Sequence, residues 1–280
     1  MKKEIFLCSI SNVSSGNCAE DCKYCTQSVH YKTQVQTYKF KSIETIIHEA
    51  RALKRYGMLG FCLVTSGRGL DSDKCEYIAR VAHALKNEDL GLHLIACCGR
   101  ADRDSLRYLK EHGIDSYNHN LETAQSFFDS VCSTHTWEER YETCQNASYV
   151  GLGLCTGGIF GLGESWEQRM ELLESLKSLQ PHSTPINFFI NNPALPITQE
   201  TIGQEEALEC IVLAREYLPY ARLMIAGGRE LVFGENQKKL YESGIDSIVL
   251  GDYLTTKGRT PQDDIDELLS YGLSIATTCH

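Results

Sequence analysis

Gly91-Leu-His-Leu-Ile-Ala-Cys97 is followed by Arg103-Asp-Ser-Leu-Arg-Tyr-Leu-Lys-Glu-His112, then Gly113, then Asp115-Ser-Tyr-Asn-His-Asn-Leu121. A short apolar run, a stretch of helical period, a glycine where a helix C-cap belongs and a second extended run make one β/α unit. The unit recurs along the chain. Strands are predicted at 5–10, 60–65, 91–97, 115–121, 151–156, 184–190, 221–226 and 246–250. Helical patterns lie between them at 42–56, 72–86, 103–112, 137–150, 166–179, 205–217 and 236–243. Ser42 and Ser72 stand at N-cap positions, and Gly57, Gly113 and Gly244 at C-cap positions. Eight strands at even spacing predict an α/β fold of the (β/α)8 TIM type. A doubly wound open sheet is the alternative, but no G-x-G-x-x-G follows the first strand. No linker or low-complexity tract divides residues 1–280, which are read as one domain with a distinctive loop at 16–27.

The chain's 280 residues, 42% of them hydrophobic, suffice for a large core. The formal charge of −10, with no basic run, argues against nucleic-acid binding. No apolar segment approaches the length of a membrane span. Thirteen cysteines and no signal peptide after Met1 suggest a reducing compartment, so a cytoplasmic location is expected.

Barrels of this type carry their chemistry at the C-terminal ends of strands and in the loops that follow. The first such loop reads Gly16-Asn-Cys-Ala-Glu-Asp-Cys-Lys-Tyr-Cys25, placing Cys18, Cys22 and Cys25 in a C-x3-C-x2-C run. Three thiolates hold three irons of a [4Fe–4S] cluster and leave the fourth open to a small molecule. Zinc would call for a paired second unit, and the next ligand along the chain, His30, has no thiolate beside it. Cys8, Cys62, Cys97, Asn118, Asn120, Cys155, Asn187 and Arg222 all lie on predicted strands. A barrel interior is ordinarily filled by Val, Ile and Leu, so part of this set is expected to line a site.

The cysteine loop resembles that of the radical S-adenosylmethionine superfamily. Further blocks resemble the biotin synthase family within it: Gly60-Phe-Cys-Leu63, Tyr117-Asn-His-Asn-Leu-Glu-Thr123, Cys155-Thr-Gly-Gly-Ile-Phe-Gly-Leu-Gly-Glu164, Pro185-Ile-Asn187, Arg222-Leu223 with Gly228-Arg-Glu230, and Leu254-Thr-Thr256. The resemblance implies that Cys18, Cys22 and Cys25 hold a [4Fe–4S] cluster that binds S-adenosyl-L-methionine. It implies dethiobiotin as substrate, with sulfur drawn from a second cluster, [2Fe–2S] in the family. A reduced flavodoxin- or ferredoxin-type donor and a homodimer are implied as well.

For the second cluster, Cys62 and Cys155 match the family directly, and Arg222 matches its arginine. An arginine paired with a barrel carboxylate is the alternative for Arg222, because a guanidinium is a donor. The family's third cysteine falls on Ile95 here. Strand side chains alternate, so Cys97 shares a face with position 95 while Cys98 points the other way. Cys97 is therefore taken as the third ligand. Cys8, Cys132 and Cys279 could supply a different nuclearity or pack as small hydrophobes. By the same resemblance Asn118, Asn120 and Asn187 meet the ureido ring, and Asn120 also meets the nucleoside. Tyr24 borders the adenine, Glu122 the ribose and Arg140 the methionyl carboxylate, while Gly158 gives the nucleoside room. Arg140 could alternatively be a solvated helix charge.

Other features are read as structural. His83 and His93 belong to helix or strand patterns. Ser66-Gly-Arg-Gly69 lacks the Lys-Ser/Thr ending of a phosphate loop. The run Asp263-Asp-Ile-Asp-Glu267 reads as a solvated helix face.

Overall fold

The computed structural model describes residues 3–234 and 237–279. Ten strands run through it: β1 (Glu4–Asn12), β2 (Gly60–Val64), β3 (His93–Cys97), β4 (Ser116–Asn118), β5 (Gly153–Cys155), β6 (Gly158–Phe160), β7 (Ser183–Phe188), β8 (Arg222–Ile225), β9 (Ser247–Leu250) and β10 (Ser274–Ile275). The helices are α1 (Ile43–Lys54), α2 (Ser72–Asn87), α3 (Arg103–Glu111), α4 (Gln125–Phe128), α5 (Trp137–Tyr149), α6 (Trp166–Leu179), α7 (Gln204–Tyr217), α8 (Arg229–Phe233), α9 (Lys238–Glu242) and α10 (Pro261–Ser270).

The order β1-β2-β3-β4-β5-β7-β8-β9 closes on itself through β9 and β1, all pairings parallel. This is the expected (β/α)8 barrel. The predicted strand at 151–156 continues past its break as β6, which pairs with β7. The break falls at Gly157, where only glycine fits: a Cβ would lie 1.9 Å from the Pro185 carbonyl oxygen. β10 pairs with the start of β1, outside the barrel.

Local signals account for the helices. Ser42 accepts from the Thr45 N–H, and Thr136 with Glu139 and Ser165 with Gln168 form capping boxes on α5 and α6. At α2 the cap is Asp71, which accepts from the Lys74 N–H at 2.8 Å, and the expected Ser72 is the first helical residue. A carboxylate one residue earlier satisfies the same orphan donor and complements the helix dipole. Gly57, Gly113 and Gly244 have φ of 84°, 101° and 115°, as helix-ending glycines should. The predicted helix at 236–243 appears as α9; its first residue, Asn236, lies outside the described residues.

Strand alternation separates two cores. Leu7, Phe61, Leu63, Leu94, Leu223 and Ile248 point outward against helix residues such as Ile46, Ile78 and Leu106. Phe6, Cys8, Cys62, Val64, Ile95, Cys155, Met224 and Val249 point into the barrel. Among the described residues no helix is long and apolar enough to cross a membrane.

The run Asp263–Glu267 lies in α10, but Asp264 is fully buried and grips the equally buried Arg229 with two bonds of 2.9 and 2.8 Å. The solvated-face reading therefore fails at Asp264. A buried guanidinium requires such a partner, and this one ties α8 to α10.

Candidate active site

Cys18, Cys22 and Cys25 line one cavity at the C-terminal mouth of the barrel with Tyr24, Cys97, His119, Asn120, Glu122, His135 and Arg140. The loop that carries them is shaped by its own backbone. The Cys25 N–H donates to the Cys22 carbonyl at 3.0 Å, the Cys18 N–H to the Gln27 carbonyl at 3.1 Å and the Val29 N–H to the Cys18 carbonyl at 2.8 Å. Gly16 and Asn17, at φ of 72° and 55°, turn the chain into it. Burial raises the thiol pKa of Cys18, and that of Cys25 to about 11. Cys22 is raised by the hydrogen bond it donates to Cys132 and by burial. All three thiols thus hold their protons in the metal-free chain, and a metal would have to displace them.

Arg140 is not on a solvated face of α5. It donates to the Asn120 carbonyl at 2.9 Å, to Tyr24 Oη at 3.4 Å and to His135 Nε2 at 3.0 Å, and pairs with Glu122 at 3.4 Å. Burial raises the Glu122 carboxyl, and Arg140 beside it opposes that shift. Asn118 Oδ1, Asn120 Oδ1 and His119 Nε2 are buried and have no partner among the described residues. Asn187 differs: its Nδ2 donates to the Gly158 carbonyl at 3.1 Å and its Oδ1 accepts from the Gly227 N–H at 2.9 Å. Gly158 does not line the mouth cavity. A Cβ there would meet Leu172 at 2.6 Å and the Glu122 carbonyl at 2.8 Å, so the fold itself accounts for this glycine.

Deeper in the barrel, Cys8, Cys62 and Cys155 are buried in the inner core, and Cys97 and Cys279 pack against it. The neighbouring Cys97 thiol, with burial, drives the Cys62 thiol well above its ordinary pKa. Cys98 lies on the opposite face, fully buried in the outer core, its thiol toward the Leu63 carbonyl at 3.9 Å. Arg222 has no carboxylate partner among the described residues. Its guanidinium lies 4.0 Å from the Phe6 ring centroid and donates to the Cys279 carbonyl at 3.2 Å.

The Radical SAM superfamily matches residues 12–176, and the Biotin and Thiamin Synthesis associated domain matches residues 185–274. The biotin synthase of Helicobacter pylori strain P12 is 65% identical, over 99% of this chain and 100% of its own length. That of Helicobacter hepaticus is 64% identical over 100% and 99%. The chain belongs to the biotin synthase family. It is accordingly a radical S-adenosylmethionine enzyme. Two solved structures share its fold: methylornithine synthase, with a TM-score of 0.81 at 16% identity over 98% of this chain and 84% of that one, and the FeFe-hydrogenase maturase HydG from Carboxydothermus hydrogenoformans, with 0.81 at 17% over 96% and 67%.

The residues present suit the groups a biotin synthase would hold. Soft thiolates favour iron–sulfur clusters, and the mouth and interior each supply at least three. The buried Asn118 and Asn120 oxygens are acceptors still awaiting donors, as a urea-bearing ligand or a nucleoside would provide.

One group was not legible from spacing. Cys132 lies 3.6 Å from Cys22 Sγ at the mouth, not among the interior thiols to which it could have added a ligand. His135 stands beside it, and its Nδ1 is 2.5 Å from Glu20. Asp21 fastens this segment to the cysteine loop by accepting from the N–H groups of Ser133 at 2.8 Å and Thr134 at 3.2 Å. Burial works against the charge of Asp21, but hydrogen bonds from Ser133 prevail and hold its carboxyl below the usual range. The available signal was the Cys132-x-x-His135 pair itself, which no local rule connects to a loop over a hundred residues away.

Proposed function

We propose that this chain inserts sulfur between two unactivated carbons of dethiobiotin to form biotin. The observation that carries the reading is the coexistence, in one barrel, of a mouth thiol set and an interior thiol set that meet at Cys97, with amide oxygens on β4 and just beyond it that lack partners among the described residues. Cys18, Cys22 and Cys25 would hold a [4Fe–4S] cluster, and Cys62, Cys97, Cys155 and Arg222 a second one, expected as [2Fe–2S]. When bound, the first cluster with S-adenosyl-L-methionine supplies a radical able to take hydrogen from carbon, and the second supplies sulfur.

The chain's own residues do the positioning. Arg140, neutralised by Glu122, offers a guanidinium at the mouth for a carboxylate. Tyr24 presents a ring there for a base, and Glu122 acceptors for ribose hydroxyls. Asn118 and Asn120 would receive the N–H groups of the ureido ring. Asn187, already bonded on both sides, would contribute its remaining amide hydrogen. The apolar inner wall of Val64, Ile95, Met224 and Val249 keeps water from the reacting carbons. The reading extends to a single-domain chain working in the cytoplasm as a homodimer and reduced by a flavodoxin- or ferredoxin-type protein.

Anaerobic reconstitution with iron and sulfide analysis, Mössbauer spectroscopy and a dethiobiotin conversion assay tests it. Two clusters per chain and biotin as product are expected. A single cluster, with Cys62→Ala and Cys155→Ala leaving it and biotin formation unchanged, would sink the proposal.

A further inference from the structure

The segment between α4 and α5 gives the cysteine loop two extra donors that the three-cysteine cluster does not use. Cys132 Sγ is 3.6 Å from Cys22 Sγ, 3.2 Å from His135 Nδ1 and 3.9 Å from His135 Nε2. One ligand atom from each of the three residues fits within 4.8 Å of the other two, and no other His, Cys, Asp or Glu trio among the described residues meets that test. These spacings suit a single ion. With Zn–S near 2.3 Å and Zn–N near 2.0 Å, a tetrahedral site holds two sulfurs roughly 3.8 Å apart and a sulfur and nitrogen roughly 3.5 Å apart.

The imidazole is also oriented for the task. Glu20 Oε2 lies 2.5 Å from Nδ1, and Arg140 Nε donates to Nε2 at 3.0 Å. The proton is therefore on Nδ1 and the lone pair on Nε2, in the carboxylate–histidine arrangement that supports a metal ligand. Glu20 and His135 side chains are 7% and 9% exposed, so the pair is sheltered from competing water. Arg140 Nε occupies the lone pair that an ion would take.

We infer that, in the cluster-free chain, Cys22, Cys132 and His135 bind one divalent ion of the zinc and ferrous class, with Glu20 orienting the histidine. Binding exchanges the remaining thiol protons for the ion, releases them to solvent, displaces the Arg140 N–H from Nε2 and leaves a fourth position for water. No electron is transferred. Because Cys22 is shared, this ion and the [4Fe–4S] cluster exclude each other. The exclusion rests on Cys22 being a cluster ligand; the mononuclear site does not. Its consequence is that the loop is pinned to the segment before α5 until cluster assembly claims Cys22. The ligands that zinc lacks near the loop in sequence are supplied by the fold from residues 132 and 135.

Cobalt(II) is the probe, added anaerobically to reduced, cluster-free, full-length protein carrying Cys62→Ala and Cys155→Ala to silence the interior. One equivalent with sulfur-to-cobalt charge-transfer and tetrahedral ligand-field bands is expected. The bands should vanish in Cys132→Val and in His135→Gln and persist in Cys25→Ala, which removes a cluster ligand only. Glu20→Gln should weaken binding by about 10–100-fold. Should Cys132→Val fail to fold, His135→Gln decides, since it leaves every thiol in place. No cobalt binding, or unchanged bands in the folded Cys132→Val or His135→Gln variant, overturns the site. Loading the [4Fe–4S] cluster, followed by iron and sulfide analysis, should release the cobalt; cobalt retained beside a full cluster overturns the exclusion. Bands that depend on Cys132 and His135 in a chain that never takes a cluster would instead refute the cluster assignment and uphold the mononuclear site.

Discussion

At the barrel mouth, thiols sit in a web of charged and polar groups; in the barrel interior they have little but one another and hydrocarbon. Cys132 receives the S–H of Cys22 and lies beside His135, and its pKa falls to about 4. Cys8, fully buried, is pushed up to about 12. Both thiols are buried, so it is their partners that set them apart. The mouth can hold ionised groups because the Arg140 guanidinium stands beside the Glu122 carboxylate. Among the described residues Arg222 is the cation beside Cys8, so whatever ionises the interior thiols has to bring further positive charge.

Removing a mouth thiol should have the largest effect. Cys25→Ala is expected to abolish both S-adenosylmethionine cleavage and biotin formation, read as 5′-deoxyadenosine and biotin yields under reduction. Substantial cleavage by that variant would dissolve the distinction between the regions. An interior change should divide the two readouts: Cys155→Ala is expected to keep cleavage and lose biotin.

The cluster-free protein should show the contrast in its pH dependence. A thiol whose folded pKa is raised is stabilising below its unfolded value, and that stability is lost as pH climbs toward the folded one. For Cys8 the window runs from 9.0 to about 12. Denaturant unfolding should lose about 1.4 kcal/mol per pH unit through this group. Cys8→Ala should flatten the slope by that amount, and an unchanged slope would refute the burial argument. The smallest effect belongs to the mouth's scaffold. Thr136→Ala removes the cap that starts α5 directly after His135, and should cost about 1 kcal/mol in chemical denaturation.

Much of this was readable from the chain. Strand periodicity and glycine punctuation located every barrel strand, because a closed parallel sheet with helices outside imposes one repeating pattern. Alternation put Cys97 and Cys98 on opposite faces, and they lie so. What pattern could not reach was contact at long range. Asp264 looked like one more surface acid until α8 brought Arg229 against it. Cys132 looked like one thiol among many until Asp21 fastened residues 133 and 134 beneath the cysteine loop. Short elements such as α4, β6 and β10 escaped as well, being too brief to show a period.

The small strand β10 has a practical meaning. Ser274 and Ile275 lie in register with Glu4 and Ile5, and the Ala276 N–H donates to the Ile5 carbonyl at 3.0 Å. The first and last described stretches are therefore stitched side by side at the foot of the barrel, away from the mouth. Opening the backbone at exposed Asp89, between α2 and β3, would interrupt no strand pairing. A surface attachment made at either stretch would leave the reactive face turned toward solution.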